Sequence, residues 1–179
     1  ALGDAASRWR VVDQGGGDLG QRIEHVWRSL GSGPAVFLGV DCPDLPADHL
    51  RAIVPAMHRG DAAVGPVTDG GYWTLAAGRL PGALLSGIDW GTDRVYHQTL
   101  SAALDAGLDL VKLPAWHDVD SPADLVSLHD RLTLAVERDD DPDLGRLHDR
   151  LNQICKDDLQ CRNSLLVDRP ADPAASPEA

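Results

Sequence analysis

Residues 35–46, with the sequence AVFLGVDCPDLP, carry the pattern that decides the fold. An uninterrupted run of apolar and small residues ends at Asp41. Such a run is typical of a strand that is buried on both faces of a parallel sheet. Open α/β sheets bind their ligands at the carboxyl ends of their strands, so this stretch also predicts a functional site at Asp41.

Outward from this stretch, strand-like and helix-like segments alternate along the chain. The strands are apolar runs rather than alternating ones, which favours an α/β domain with a largely parallel sheet. The predicted strands cover residues 8–12, 35–40, 62–67, 72–75 and 108–113, and the predicted helices cover residues 19–30, 47–57, 93–106 and 122–136. Leucine and isoleucine spacing predicts one more amphipathic helix through residues 144–154.

Composition excludes several classes of function. The 179-residue chain has a formal net charge of −12, so its surface repels phosphate backbones, and we do not expect it to bind nucleic acid. The sequence has neither a signal peptide pattern nor an apolar run near the roughly 20 residues that cross a bilayer. We therefore expect a cytoplasmic protein without a membrane partner.

Asp41 and Asp44 are the first candidate site residues. Carboxylates are hard oxygen ligands that suit Mg²⁺ or Mn²⁺, and Asp41 directly follows the apolar run. The alternative is that these aspartates cap the next helix, a role that suits Asp44, two residues before Pro46. We expect Asp41 to be a metal ligand.

Asp118 and Asp120 form the second candidate site. Two carboxylates one residue apart on an extended segment point the same way, so both can face one cation. Helix capping is again the alternative, and it accounts for Ser121 and Asp124 but leaves Asp118 and Asp120 unexplained. The run from Asp118 to Ser121 superficially resembles the DxDx(S/T) motif of haloacid dehalogenase-type phosphohydrolases. That motif should directly follow an apolar strand near the N-terminus, whereas here residues 114–117 intervene and the run lies late in the chain.

Two loops are further candidates. Thr68-Asp69-Gly70-Gly71 is either a plain hairpin turn or a loop that presents its amides to a ligand, because paired glycines allow close backbone approach. Trp90-Gly91-Thr92 precedes a helix and could close over a ligand, and Trp90 could equally be a core aromatic. Both alternatives stay open at this point.

Taken in order, five segments resemble one family. They are DQGGGDLGQRI (13–23), GVDCPDLP (39–46), GPVTDGGYW (65–73), IDWGTDRV (88–95) and DVDSPADL (118–125). Together they resemble the DUF2064 family of the glycosyltransferase-A-like, or nucleotide-diphospho-sugar transferase, superfamily. That family is similar to the guanylyltransferases of coenzyme F420 synthesis, and the likeness spans roughly residues 9–136.

The resemblance implies a three-layer α/β/α domain that binds a nucleotide sugar or a nucleoside triphosphate through Mg²⁺ or Mn²⁺. By position, Asp41, Asp118 and Asp120 match the metal ligands, and Asp41 and Asp120 are the residues expected to serve catalysis. Thr68, Asp69, Gly70 and Gly71 match a loop on the substrate side, and Trp90, Gly91 and Thr92 match a loop at the pocket rim. The implied activity is metal-dependent glycosyl or nucleotidyl transfer.

The resemblance also sets the expected domain limits. Residues 1–136 match a partial domain that lacks the family's first strand and basic phosphate-binding loop. Residues 137–167 are expected to be an acidic linker and a C-terminal helix, and residues 168–179 a disordered tail. Without the basic loop, an alternative function is an inactive family member that binds a partner or forms a homodimer through an unpaired sheet edge.

Overall fold

The computed structural model of the protein describes residues 10–138 and 141–157. The chain divides into two compact units, Ala1–His117 and Asp118–Ala179. Each unit has its own hydrophobic core within the described residues. These two units are defined by packing contacts, and they do not test the predicted domain limits at residues 136 and 167. The predicted tail at residues 168–179 lies outside the described residues.

The first unit is built on a four-stranded sheet. Its strands are β1 (Ala35–Leu38), β2 (Ala62–Pro66), β3 (Tyr72–Ala77) and β4 (Leu110–Lys112), in the spatial order β1-β3-β2-β4. β3 is antiparallel to both β1 and β2, whereas β2 is parallel to β4. β1, β2 and β4 therefore run in the same direction and β3 runs against them, so the sheet is mixed, and the predicted α/β fold is confirmed.

Helices cover both faces of this sheet. Their bounds are α1 (Leu19–Ser29), α2 (Ala47–Met57) and α3 (Val95–Asp105), and a short 3-10 helix covers Gly82–Leu84. Ile23 of α1 and Ala103 of α3 join one core cluster, together with Leu75 of β3. Ile53 of α2 joins a second cluster with Ala76. Ala76 follows Leu75 in β3, so the two side chains point to opposite faces of the sheet. The first unit is therefore a three-layer α/β/α domain.

α1 shows how local sequence sets an element. The Asp18 carboxylate accepts a hydrogen bond from the amide of Gln21 at 2.8 Å, and the Gln21 side chain accepts one from the Asp18 amide at 3.0 Å. This capping box satisfies two backbone donors that a helix N-terminus otherwise leaves unpaired. The prediction of a helix that begins after Asp18 is confirmed.

Two details of the predicted strands are wrong. β1 is an edge strand in the described part of the chain, and its exposure alternates, with Val36 42% and Leu38 49% exposed. An apolar run has the same sequence pattern whether one or both of its faces are covered, so it could not reveal this. The predicted strand at residues 8–12 is absent from its described part, residues 10–12, and the remainder lies outside the described residues.

The second unit is a helical pair. It contains α4 (Pro122–Glu137) and α5 (Pro142–Asp157). Leu128 and Leu132 of α4 pack with Leu151 of α5. His129 Nε2 lies 3.2 Å from Asn152 Oδ1, and Thr133 Oγ1 lies 3.2 Å from His148 Nε2. These pairings run in opposite order along the two helices, so α4 and α5 are antiparallel.

Candidate functional site

The carboxyl ends of β1, β2 and β4 lie at one edge of the sheet, because the three strands share a direction. Three chain segments leave the sheet there: residues 39–46 after β1, residues 67–71 after β2 and residues 113–117 after β4. We call this the carboxyl edge. It is the position at which open α/β sheets bind ligands.

Asp41 lies on the first of these segments with an exposed side chain. The amide of Gly39 donates to the carbonyl of Trp73 at 2.9 Å, so pairing with β3 continues to two residues before Asp41. The thiol of Cys42, which is buried, lies 3.8 Å from Asp41 Oδ1. Asp41 therefore extends from an ordered strand end and keeps its carboxylate open to solvent.

Asp44 does not cap α2, so that alternative is wrong. The N-cap of α2 is Pro46, and no side chain caps the helix there. Asp44 is instead only 5% exposed, and its Oδ1 accepts a hydrogen bond from the indole Nε1 of Trp116 at 3.2 Å. A capping role needs the aspartate immediately before the helix, and two further residues separate Asp44 from Ala47.

The loop after β2 is a tight turn held to α3. Asp69 Oδ1 accepts a hydrogen bond from the amide of Gly71 at 2.9 Å, and Gly70 adopts a φ of +97°. The carbonyl of Gly70 accepts a hydrogen bond from the amide of Tyr96, in the first turn of α3, at 2.8 Å. Thr68 and Asp69 are exposed on this turn, so their side chains face solvent at the carboxyl edge.

A β-bulge changes the direction of Trp73. The register between β2 and β3 shifts at Gly65 and Pro66, so that Thr74 and Tyr72 pair with consecutive residues. Strict alternation would put Trp73 on the face of Leu75, but Trp73 packs in the other cluster. Bulges commonly redirect a side chain in this way. Gly65 makes room, since a β-carbon there would lie 2.2 Å from the Trp73 ring.

Besides the backbone bond from the Leu113 amide to the carbonyl of Val64, three hydrogen bonds hold the segment after β4. The Trp73 indole donates to the carbonyl of Pro114 at 3.1 Å, and the Trp116 amide donates to the carbonyl of Pro66 at 3.0 Å. The third is the bond between the Trp116 indole and Asp44. The Thr68 hydroxyl lies 3.5 Å from His117 Nδ1. The loops after β1, β2 and β4 are thus linked at the carboxyl edge.

The Trp90 loop is fixed by its own contacts. The Thr92 hydroxyl donates to the carbonyl of Asp89 at 2.7 Å, and the Gln98 side chain bonds both the amide and the carboxylate of Asp89 at 2.8 Å. Trp90 is half-buried and packs against the first core cluster, with its ring 6.2 Å from that of Tyr72. Burial raises the pKa of Tyr72 well above its usual range, so its phenol stays protonated. The Trp90 loop is therefore anchored by its own hydrogen bonds and by the packing of Trp90.

Asp118 and Asp120 begin the second unit. The amides of Asp120 and Ser121 donate to Asp124 Oδ2 at 3.2 Å and 2.8 Å, and Ser121 is the N-cap of α4. Capping therefore explains Ser121 and Asp124, as expected, and it fixes the backbone of Asp120 but does not use its carboxylate.

Sequence reasoning missed the tie between Asp44 and Trp116. These residues lie 72 positions apart, and neither belongs to a spacing pattern. His49 was also missed as a neighbour of Trp116, with ring centroids 5.0 Å apart at 71°. A signal was available in one respect, since Asp44 and Trp116 both lie shortly after predicted strands.

The first unit has a glycosyltransferase-A-like fold, with its candidate site at the carboxyl edge. A crystal structure of a "putative nucleotide-diphospho-sugar transferase" from Desulfovibrio desulfuricans G20 matches the chain with a TM-score of 0.61 and 31% sequence identity. The match covers 75% of this chain and 64% of that one, so the chain spans less than two thirds of the structure that it matches.

A protein-family model also matches the chain. It describes an uncharacterized protein conserved in bacteria (DUF2064), and it covers residues 1–92, just over half of the chain. The chain belongs to this family. Asp41, the turn at residues 68–71 and the loop at residues 90–92 lie inside the matched range, whereas Asp118 and Asp120 lie beyond it. No curated protein matches the chain.

No helix among the described residues is both long enough and apolar enough to cross a membrane.

Proposed function

We propose that this chain is a metal-dependent transferase that uses a nucleotide sugar or a nucleoside triphosphate as its donor. The observation that carries the proposal is the convergence of Asp41, the turn at residues 68–71 and the segment at residues 113–117 on one sheet edge. The likeness to the structure from Desulfovibrio desulfuricans G20 supports it.

Asp41, Asp118 and Asp120 are the proposed cation ligands, and the ion is Mg²⁺ or Mn²⁺. The donor set fits such an ion, because carboxylate oxygens are the ligands that these hard cations prefer. When bound, the cation would stabilise negative charge that develops on the phosphate oxygens of the donor. The protein carries a net charge of −12, so a bridging cation would also reduce the repulsion of a polyphosphate.

The chain's own residues orient the reactants in this proposal. The turn at Thr68–Gly71 presents the exposed side chains of Thr68 and Asp69 to the substrate side, and the anchored loop at Trp90–Thr92 lines the rim. Asp41 and Asp120 are the proposed catalytic residues. In glycosyl transfer, the bond from the sugar to the diphosphate breaks as the acceptor oxygen bonds the sugar. In nucleotidyl transfer, pyrophosphate leaves as the acceptor bonds the α-phosphorus.

The proposal is tested by thermal melting of the full chain with Mn²⁺ and a panel of nucleoside triphosphates and nucleotide sugars. A ligand that binds only the folded state stabilises it by about 2.7 kcal/mol at a concentration 100 times its Kd. We expect one nucleotide class to raise the melting temperature by several degrees, and only when Mn²⁺ is present. The productive nucleotide would also identify the donor.

Asp41→Asn is the decisive variant, and Asp48→Asn is its matched control. Asp48 lies on α2, is exposed and pairs with Arg51 at 2.7 Å, so the control removes the same charge away from the proposed ligands. We expect Asp41→Asn to abolish the Mn²⁺-dependent shift and Asp48→Asn to retain it. An Asp41→Asn protein that shows the full shift would contradict the proposed role, as would a wild type that responds to no nucleotide.

A further inference from the structure

A buried hydrogen bond links the segment that bears Asp41 to the segment that leads into Asp118. Asp44 follows Asp41 by three residues, and Trp116 precedes Asp118 by two. The indole Nε1 of Trp116 donates to Asp44 Oδ1 at 3.2 Å, and Asp44 is 5% exposed. This contact is a direct side-chain hydrogen bond between the two segments.

Trp116 has little freedom to move away from this contact. Its amide donates to the carbonyl of Pro66 at 3.0 Å, and it forms a parallel bridge with Val67. The ring of His49, on α2, meets the Trp116 ring edge-on at 5.0 Å. Backbone, ring and indole nitrogen of Trp116 are therefore each held by a different element of the first unit.

Trp73 fixes the same segment two residues earlier. Its indole donates to the carbonyl of Pro114 at 3.1 Å, and the bulge in β3 directs its ring to this face. Residues 114–116 are thus bonded to β2 and β3, and the loop after β1 meets them through the apolar cluster that holds Cys42, Leu45 and Trp116 and through the Asp44 hydrogen bond. The hydrogen bond is directional, so it can set the spacing between the two segments.

Asp44 places a carboxyl group, rather than an apolar side chain, in a buried position. Burial of a charged group costs free energy unless it is paired and hydrogen-bonded, and well-packed apolar residues often give equal or greater stability. Leucine at position 44 would serve packing alone. The presence of a carboxylate hydrogen-bonded to an indole therefore points to a directional role.

We propose that Asp44 and Trp116 are positioning residues for the cation site. They hold the segment that bears Asp41 against residues 113–117, the last residues of the first unit. This inference rests on the proposed function. Partners behind metal ligands typically change metal affinity 10- to 100-fold when they are mutated, because they hold the ligands in place.

The test is calorimetric titration of the full chain with Mn²⁺ alone, together with melting temperatures measured without metal. Trp116→Phe keeps the ring but removes the N–H donor, and we expect Mn²⁺ affinity to fall about tenfold or more. Trp27→Phe is the matched control, since it also removes an indole hydrogen bond, from Nε1 to the carbonyl of Gly33 at 2.8 Å. Trp27 lies on α1, and its variant should bind Mn²⁺ as the wild type does.

Asp44→Asn and Asp44→Leu separate positioning from packing. Asparagine keeps an acceptor oxygen for the indole, so we expect affinity within about threefold of the wild type, whereas leucine should lose about tenfold. A merely structural role would lower the melting temperature and leave the Mn²⁺ affinity of the folded protein unchanged.

The outcomes distinguish this inference from the function on which it rests. A wild type that binds no Mn²⁺ would contradict the proposed cation site itself. A wild type that binds Mn²⁺, with Trp116→Phe binding equally well, would overturn the positioning role alone. Should Trp116→Phe fail to fold, equal affinities for Asp44→Asn and Asp44→Leu would overturn it.

Discussion

Gly70 is the residue on which the turn at the carboxyl edge depends. Its φ of +97° is a conformation that L side chains rarely adopt, and a β-carbon there would lie 2.0 Å from the carbonyl oxygen of Asp93. The atoms that it would meet belong to the backbone of Asp93, two residues before α3, and a shift of this backbone would cost free energy. We expect Gly70→Ala to destabilise the protein by about 2 kcal/mol or more, measured by urea unfolding with tryptophan fluorescence.

Gly78 supplies the matched control at this scale. It follows β3, its φ is outside the left-handed region, and nothing lies within 4 Å of the position of its β-carbon. Gly78→Ala should change stability by about 0.5 kcal/mol or less. Equal stability losses at the two positions would show that the conformation of Gly70 is not the cause.

At the scale of elements, α4 shows how one carboxylate stabilises a helix start. The Ser121 hydroxyl bonds Asp124 Oδ2 at 2.7 Å, and with the amides of Ser121 and Asp120 it holds the pKa of Asp124 below its usual value of 3.8. A lowered folded-state pKa contributes stability that is present above the unfolded-state pKa and is lost as the pH falls through the folded-state pKa.

Asp124→Asn therefore tests a pH dependence with a defined sign. At neutral pH we expect the variant to be less stable by about 0.5 kcal/mol, the order of a charge at a helix N-terminus. The difference should shrink as the pH falls below about 4. Far-UV circular dichroism is the suitable readout, because all five tryptophans precede the second unit. A difference that is constant with pH would contradict the role of the carboxylate.

At the scale of the whole molecule, the remaining prediction is the homodimer. β1 is an edge strand in the described part of the chain, and an edge strand offers unpaired backbone groups to another strand. Light scattering on the eluting protein tests it, with a mass well above 19.1 kDa expected. Leu38→Lys puts a charge on the exposed side of β1 and should shift the protein toward the monomer, whereas Leu104→Lys, on α3, should not. A wild-type monomer would contradict the prediction.

Elements with strong local signals could be read from the sequence. α2 begins and ends where the pattern predicts, at Ala47 and Met57, and the capping residues Asp18 and Ser121 mark the starts of α1 and α4. These features depend on residues within a few positions of one another. Apolar runs and their spacing were likewise sufficient to predict an α/β fold, but they did not show that β3 runs against its neighbours.

The sequence by itself determined the α/β class, the positions of most helices and strands, and the candidate carboxylate Asp41 at a strand end. Only the tertiary structure decided that β1 is an edge strand, that a bulge turns Trp73 to the face opposite Leu75, and that Asp44 bonds Trp116 rather than capping α2. The physical reason is the separation along the chain of the residues that interact. Capping and periodicity act between near neighbours, whereas burial, register and long-range hydrogen bonds depend on which distant segments the fold brings into contact.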